Sequence, residues 1–309
     1  MFAAAIAILG VTVFEFQSYF DLNDSRIPYR NSVFSWPRYI LGGLMFGVGM
    51  TYASGCGNKV LIRIGGGNLK SIVVLLIAGL MAYIMTRTDF YGIIFHSWMN
   101  PISPDLAKLG IEDQSLPTII SLIISSANTV YYKLTVGLLV GLSFMYYIFR
   151  SGSFIKNMDN VIGGFIVGSV VVLAWYLTGS ALGEEWIETN NFLDNPLPGV
   201  GIQSFTFINP MGESIIYFSK SADFYYLTFG VAALLSVILG SFVYSIISRN
   251  FRIEWFQSKE DLKRHVIGAV LIGIGGVLSM GCTIGQGVSG VSTLALGSFI
   301  TLISIIIGA

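Results

Sequence analysis

Apolar residues fill this chain in long blocks, and the breaks between the blocks are glycines, polar patches or short charged loops. Lys70–Thr86, Val130–Phe149, Val161–Gly183, Tyr225–Ser248 and Ser292–Gly308 read as full-length helices, at or near the roughly 20 residues that cross a bilayer. Val161–Gly183, Tyr225–Ser248 and Val288–Ala309 contain no Asp, Glu, Lys or Arg. Two further blocks differ. Tyr39–Ser54 and Val266–Met280 are short and broken by glycine, and each is followed by a polar patch and another apolar block. Pro117–Ala127 is also short and reads as a re-entrant or interfacial piece. Phe2–Phe14 lacks the basic flank and small-residue cleavage site of a secretory signal, so it reads as the end of a membrane helix. The pattern predicts an all-α polytopic membrane protein, an inverted-repeat helical bundle with re-entrant half-helices. It forms a single transmembrane domain over 1–309, with pseudo-repeat halves of about 1–150 and 151–309. Half-length segments at corresponding places in two halves point to a transporter's binding site. Irregular backbone at that depth survives only where protein or a water-filled cavity surrounds it.

Composition agrees. Mean hydropathy is +0.74, and 11% of residues are charged, against roughly a quarter in soluble domains. The net charge is zero, which gives no electrostatic case for nucleic acid. Two cysteines are too few for a disulfide scaffold and lie in apolar, glycine-rich segments, so they are expected as free thiols. With no CxxC and with His96 and His265 isolated, neither a metal nor a cofactor is expected. Loop Arg249–Arg264 holds five of the 17 basic residues, whereas Glu184–Asp223 carries six acidic residues against Lys220 alone. By the positive-inside rule the first lies in the cytoplasm, with Arg150 and Lys156, and the second outside.

The chemistry sits where the two short blocks end. Counting back from Cys56, glycine recurs at one, seven, nine and fourteen residues (Gly55, Gly49, Gly47, Gly42). Counting back from Cys282, the same offsets give Gly281, Gly275, Gly273 and Gly268. Gly57, Asn58, Lys59, Arg63 and Gly65-Gly66-Gly67-Asn68 follow the first cysteine; Thr283, Gly285, Gln286 and Gly287 follow the second. Glycine lets backbone N–H groups approach a ligand, and helix N-termini favour anions. A thiol adds a weak donor and a soft, polarizable contact. The combination suits an anion carrying soft sulfur, such as thiosulfate. Cys56 and Cys282 are the candidate relay residues, with Gly55, Gly57, Asn58, Lys59, Gly281, Thr283, Gly285 and Gln286 as weaker binding candidates.

Plainer readings stand beside these. Glycine repeats in membrane helices are packing devices, a buried cysteine is a small hydrophobe, and Lys59 and Arg63 can snorkel to the interface. His96 and His265 read as interfacial, and Trp36, Tyr39, Trp175, Trp186 and Trp255 as an interface belt. Asn128, near Tyr131 and Tyr132, reads as bundle packing.

Gly42-Gly43-Leu44-Met45-Phe46-Gly47-Val48-Gly49-Met50 with Ser54-Gly55-Cys56-Gly57 resembles the central motif of the YeeE/YedE family of sulfur-compound transporters. Leu61 and Gly65-Gly66-Gly67-Asn68-Leu69-Lys70-Ser71 continue the match. Gly275-Gly276-Val277-Leu278-Ser279-Met280-Gly281-Cys282-Thr283-Ile284-Gly285-Gln286-Gly287 is similar to the family's carboxy-terminal motif, and Gln203–Pro210 to its middle one. The resemblance implies an hourglass-shaped bundle in the cell inner (plasma) membrane. It implies that thiosulfate is taken up between cysteine thiols at a central constriction, without enzymatic conversion. It also implies a small cytoplasmic TusA-like sulfurtransferase as acceptor. The family's third cysteine, ahead of the region matching Phe2–Phe14, has no counterpart residue here. The alternative from another class is a membrane-embedded sulfurtransferase carrying a cysteine persulfide, which needs an exposed, activated thiol.

Overall fold

The computed structural model describes residues 1–124, 129–150 and 152–309, and among these helix is the only regular structure apart from isolated bridges. In chain order the helices are α1 (Phe2–Phe16), α2 (Trp36–Tyr52), α3 (Gly57–Gly65), α4 (Leu69–Arg87) and the short α5 (Ser97–Met99). Next come α6 (Leu116–Ile124), α7 (Thr129–Arg150), the single turn α8 (Gly152–Ile155), α9 (Met158–Gly179) and α10 (Ala181–Asn191). The chain closes with α11 (Ile208–Ser219), α12 (Phe229–Ile247), α13 (Lys259–Leu278), a π-helical stretch Gly285–Gly290, and α14 (Leu296–Gly308). Five helical spans among the described residues are long and apolar enough to cross a bilayer: Trp36–Gly65, Leu69–Arg87, Tyr131–Arg150, Met158–Gly179 and Phe229–Ile247. Their outward faces carry Leu76, Leu139, Phe165, Ile166 and Leu239, all well exposed. Such a continuous apolar surface suits hydrocarbon and would be a liability in water. This is a multi-pass membrane protein.

The centre is made by α2 and α13. A Cβ added at Gly42 would lie 2.5 Å from Ser279 N and 3.0 Å from Gly275 O; one added at Gly275 would lie 2.6 Å from Phe46 N and 2.8 Å from Gly42 O. Gly49 and Gly268 answer each other in the same way, at 2.9 Å and 2.7 Å from each other's carbonyl oxygen. The two helices therefore run antiparallel at backbone contact. Each presents the glycine fourteen residues before its cysteine to the glycine seven residues before the other. The glycines at offset nine face outward from this pair: Gly47 meets Ile305 and Gly308 of α14, and Gly273 meets Ala78 and Met81 of α4. Without a hydrophobic drive between helices in lipid, such close backbone approach supplies the attraction.

Each glycine helix stops in the same manner. Ser54 (φ 59°) and Met280 (φ 59°) both adopt the left-handed conformation two residues before the cysteine, costing roughly 1–2 kcal/mol apiece for a residue with a Cβ. The following helical turns also end on positive φ, at Gly67 (φ 96°) and Leu294 (φ 58°), eleven and twelve residues past the cysteine. The second motif thus holds one extra residue, and the π-helical stretch Gly285–Gly290 absorbs it. Extended segments then clamp the start of each next helix. Arg252 N donates to Gly66 O (3.1 Å) and Leu69 N to Glu254 O (3.0 Å). On the other side Leu116 N donates to Leu294 O (3.0 Å) and Leu296 N to Gln114 O (2.9 Å).

Several expectations change. Trp175 is fully buried and Tyr39 nearly so, not interfacial: the indole donates to Ser292 Oγ (3.2 Å), and the Tyr39 hydroxyl pairs with the Gln114 carboxamide (2.9 Å). An amphipathic aromatic serves a buried polar partner as well as it serves an interface. Trp36, Trp186 and Trp255 do remain exposed. His265 is also buried, with Nδ1 3.1 Å from Asp261 Oδ1. Phe2–Phe14 forms most of α1, whose Ala5, Ala7, Ile8 and Val11 are fully buried, and which packs on α7 and α9. The acidic stretch Glu184–Asp223 is no simple loop, since it contains most of α10, all of α11 and a buried extended segment. Of Pro117–Ala127, the part up to Ile124 lies in α6, and Asn128 lies outside the described residues.

Candidate functional site

Both cysteines occupy the residue that precedes a helical turn. Cys56 is the N-cap of α3, with extended backbone (φ −73°, ψ 170°). Cys282 precedes the helical stretch from Thr283, and its sulfur accepts a hydrogen bond from Gly285 N at 3.4 Å, with backbone groups of Phe207 and Ile284 beside it. The sulfur there takes the place of the Ser or Asp oxygen usual at an N-cap. Cys282 is fully buried in the central apolar cluster, and the half-buried Cys56 packs against the same cluster. Ile208 and Met211 at the start of α11 join them. A Cβ at Gly57 would lie 3.2 Å from Met211 Cε and 3.3 Å from Ile208 Cδ1, and Ile208 also covers Gly276.

The other predicted residues divide. Gly281 and Gly285 are buried; a Cβ at Gly285 would lie 2.6 Å from Thr206 Oγ1, and the Gly285 carbonyl accepts from the Tyr29 hydroxyl (2.9 Å). Thr283 is half-buried. Gln286 is buried and turns back into its own motif: its carboxamide N–H donates to Ser279 O, which braces the Met280 turn, while its Oε1 has no partner. Asn58 lines an apolar cavity of about 250 Å³ with Val171, Phe205, Phe207, Val237 and Ile284. Lys59 is exposed, its aliphatic stem lying over Gly55. The structure therefore gathers the thiols and their flanking glycines about the start of α11 and leaves the Lys59 charge outside. Among the described residues no group of three or more His, Cys, Asp or Glu is placed to hold a metal ion.

The residues that hold this centre in place were not found as such in the sequence. Gln203–Phe207 runs without regular structure through the buried interior. Thr178 Oγ1 donates to Gln203 O (2.8 Å) and accepts from Gln203 N (3.0 Å). Ser204 Oγ donates to Val171 O (3.0 Å), and Ser289 Oγ to Phe205 O (2.8 Å). Side chains of α9 and of the second cysteine motif thereby satisfy a segment that lacks helical bonding, as backbone at this depth requires. Behind it, the buried Arg30 donates Nε to Thr293 O (2.8 Å) and forks onto Glu15 at 2.5 and 2.8 Å; Lys133 adds a third contact to Glu15 at 3.3 Å. Arg26 ties Gln203 (3.0 Å) to Glu213 (2.5 Å), which also accepts from Thr228 (2.6 Å). Polar side chains in apolar surroundings at Thr178 and Ser204 were the available signal.

Comparison with known proteins places the chain in a family. A family model described as sulphur transport matches residues 1–309, so the chain belongs to that family. It is 25% identical over 313 residues to the thiosulfate transporter TsuA of Escherichia coli (strain K12), covering 98% of this chain and 80% of that protein. It is also 25% identical over 278 residues to the thiosulfate transporter TsuA of Spirochaeta thermophila, covering 87% of this chain and 74% of the relative.

Proposed function

We propose that this member of the sulphur transport family takes up thiosulfate across the cell inner membrane and passes it between Cys56 and Cys282. The observation that carries the reading is the pair of cysteines standing just before helical turns on one buried apolar cluster, each delivered by the same glycine-and-turn device. Thiosulfate offers a soft terminal sulfur to these thiols and oxygens to backbone N–H groups near Gly57 and Gly285. Sulfate has no soft atom to offer. Weak S–H contacts suit a pathway, because an ion must leave as readily as it enters. A fully buried Cys282 fits a hydrogen-bonding role better than the persulfide alternative, which needs an accessible sulfur. A small cytoplasmic TusA-like sulfurtransferase is the proposed acceptor at the inner face.

The test is labelled thiosulfate uptake by purified protein in liposomes. Cys282→Ala and Cys56→Ala are expected to abolish uptake while eluting as folded protein. Parent-level uptake by both variants would overturn the relay. Persulfide trapped on Cys56 of protein that moves no label would replace it with the sulfurtransferase reading.

A further inference from the structure

Past Cys56, toward the basic 249–264 segment, lies a polar cavity of about 400 Å³ bordered by Ser54, Arg63, Asn68, Lys70, Arg252 and His265. Its acids are already engaged: Asp261 by Lys70 (2.8 Å) and His265 (3.1 Å), and Glu254 by the Asn68 carboxamide (2.5 Å). Its two guanidinium groups are not. Among the described residues neither Arg63 nor Arg252 has a carboxylate within 4.0 Å. Arg63 sits seven residues after Cys56 on α3, two turns on and hence on the same face, roughly 10 Å along the axis at 1.5 Å per residue. Arg252 comes from a different part of the chain; its backbone N–H bond to Gly66 O (3.1 Å) fixes the segment, and its exposed side chain borders the cavity. A favourable interaction with the carbonyl end of α3 accounts for Arg63 alone. It does not account for a second unneutralised arginine facing the same space.

We propose that this cavity is an oxyanion station on the release side of the thiols, where Arg63 and Arg252 together hold a doubly charged tetrahedral oxyanion. The proposal rests on the transport reading above and adds a second site with opposite chemistry. Guanidinium N–H forks recognise oxygen atoms, and do so in pairs. The station therefore does not distinguish thiosulfate from sulfate, and selectivity stays with the thiols. At about 400 Å³ the space accepts such an ion with several waters, each occupying roughly 30 Å³. Its function is to draw the ion off Cys56 and release it to the cytoplasm, which the positive-inside rule places on this side.

The consequence is a sidedness that a single central site lacks. In right-side-out membrane vesicles, external sulfate at tenfold excess leaves labelled thiosulfate uptake unchanged. The same sulfate loaded inside slows initial uptake at least threefold, by occupying the station. Arg63→Gln/Arg252→Gln protein loses the inhibition by internal sulfate, whereas Arg63→Lys/Arg252→Lys keeps a substantial part of it. Size-exclusion elution of both double variants matching the parent certifies folding, and single Gln variants replace the double one if it fails to elute. Parent protein that transports thiosulfate yet ignores internal sulfate overturns the station, as does a Gln variant that retains the inhibition. Parent protein that transports no thiosulfate from either side overturns the transport reading instead.

Discussion

Gly42→Ala tests whether the glycine helices are in contact because nothing larger fits. In an exposed helix the change would stabilise by roughly 0.5–1 kcal/mol. Here the new methyl would sit 2.5 Å from Ser279 N, about 0.9 Å short of the 3.4 Å where ordinary contact begins. The obstacle is backbone, so no side chain can swing away, and α2 and α13 must separate. Overpacking of this kind costs about 1–3 kcal/mol, so after the helix gain the net effect is a loss of up to roughly 2.5 kcal/mol relative to the parent. The control is Gly163→Ala on α9, where a Cβ meets nothing within 4 Å; that variant should be neutral or slightly stabilised. Gly42→Ala/Gly275→Ala should lose less than the sum of its parts, because both methyls push on one contact and the first separation relieves the second. The assay is denaturant unfolding in detergent followed by tryptophan emission, with uptake measured on the same preparations. Separation at Gly42 also displaces the Met280 turn that carries Cys282, so uptake should fall by more than the folded fraction does. Equal shifts for Gly42→Ala and Gly163→Ala would refute the close-contact argument outright.

Cys282→Ser keeps a donor but removes the polarizable sulfur, so thiosulfate uptake is expected to drop at least tenfold with little change in stability; parent-like uptake in labelled-ion assays would show the thiol to be a packing residue. Arg30→Gln leaves Glu15 with Lys133 alone and frees the Thr293 carbonyl; removing one partner of a buried pair costs about 3–5 kcal/mol, which a denaturation midpoint close to the parent's would contradict. Thr178→Val strips Gln203 of both backbone partners, an unsatisfied-group cost of about 1–3 kcal/mol, and it should also raise hydrogen exchange locally at Gln203–Phe207; unchanged protection there would disprove the clamp.

Much of this arrangement is legible in the sequence, because the bilayer imposes it. Long uncharged blocks have to become helices, and the glycines seven and fourteen residues before Cys56 and Cys282 are a direct record of the α2–α13 contact. Other features leave no such record. Ser54 and Met280 take positive φ although neither is glycine, so the turn that aims each thiol has no compositional mark. The extra residue in the second motif shows only as Leu294 standing where register with Gly67 would ask for Thr293, and nothing in Gly285–Gly290 announces a π-helical stretch. Trp175 and Tyr39 read as interfacial because a ring with one polar atom looks alike at the membrane surface and in a core that holds a hydroxyl or a carboxamide. Arg30 and Thr293 are 263 residues apart, and no local pattern ties a lone arginine to a distant helix end.

On the proposed relay, the placement of charge follows from what a dianion can tolerate. A fixed cation beside Cys282 would bind the ion strongly in a low-dielectric interior, and strong binding halts a pathway. An apolar centre with no donors would exclude the ion, since desolvating a charge without compensation is prohibitive. Between these limits stand weak donors at fixed positions: thiols, and backbone N–H groups at the starts of two helical turns. Fixing weak donors requires rigidity, and ion pairs set away from the two cysteines supply it. Arg30, Glu15 and Lys133 neutralise one another behind the second motif, and Arg26 with Glu213 anchors the middle segment. Lys70 and Asp261 hold α4 to α13 at the opposite end. Every one of these cations is spent on a carboxylate. Arg63 and Arg252, which have no carboxylate within 4.0 Å among the described residues, border the polar cavity past Cys56, where on the proposed pathway attraction speeds departure instead of preventing it.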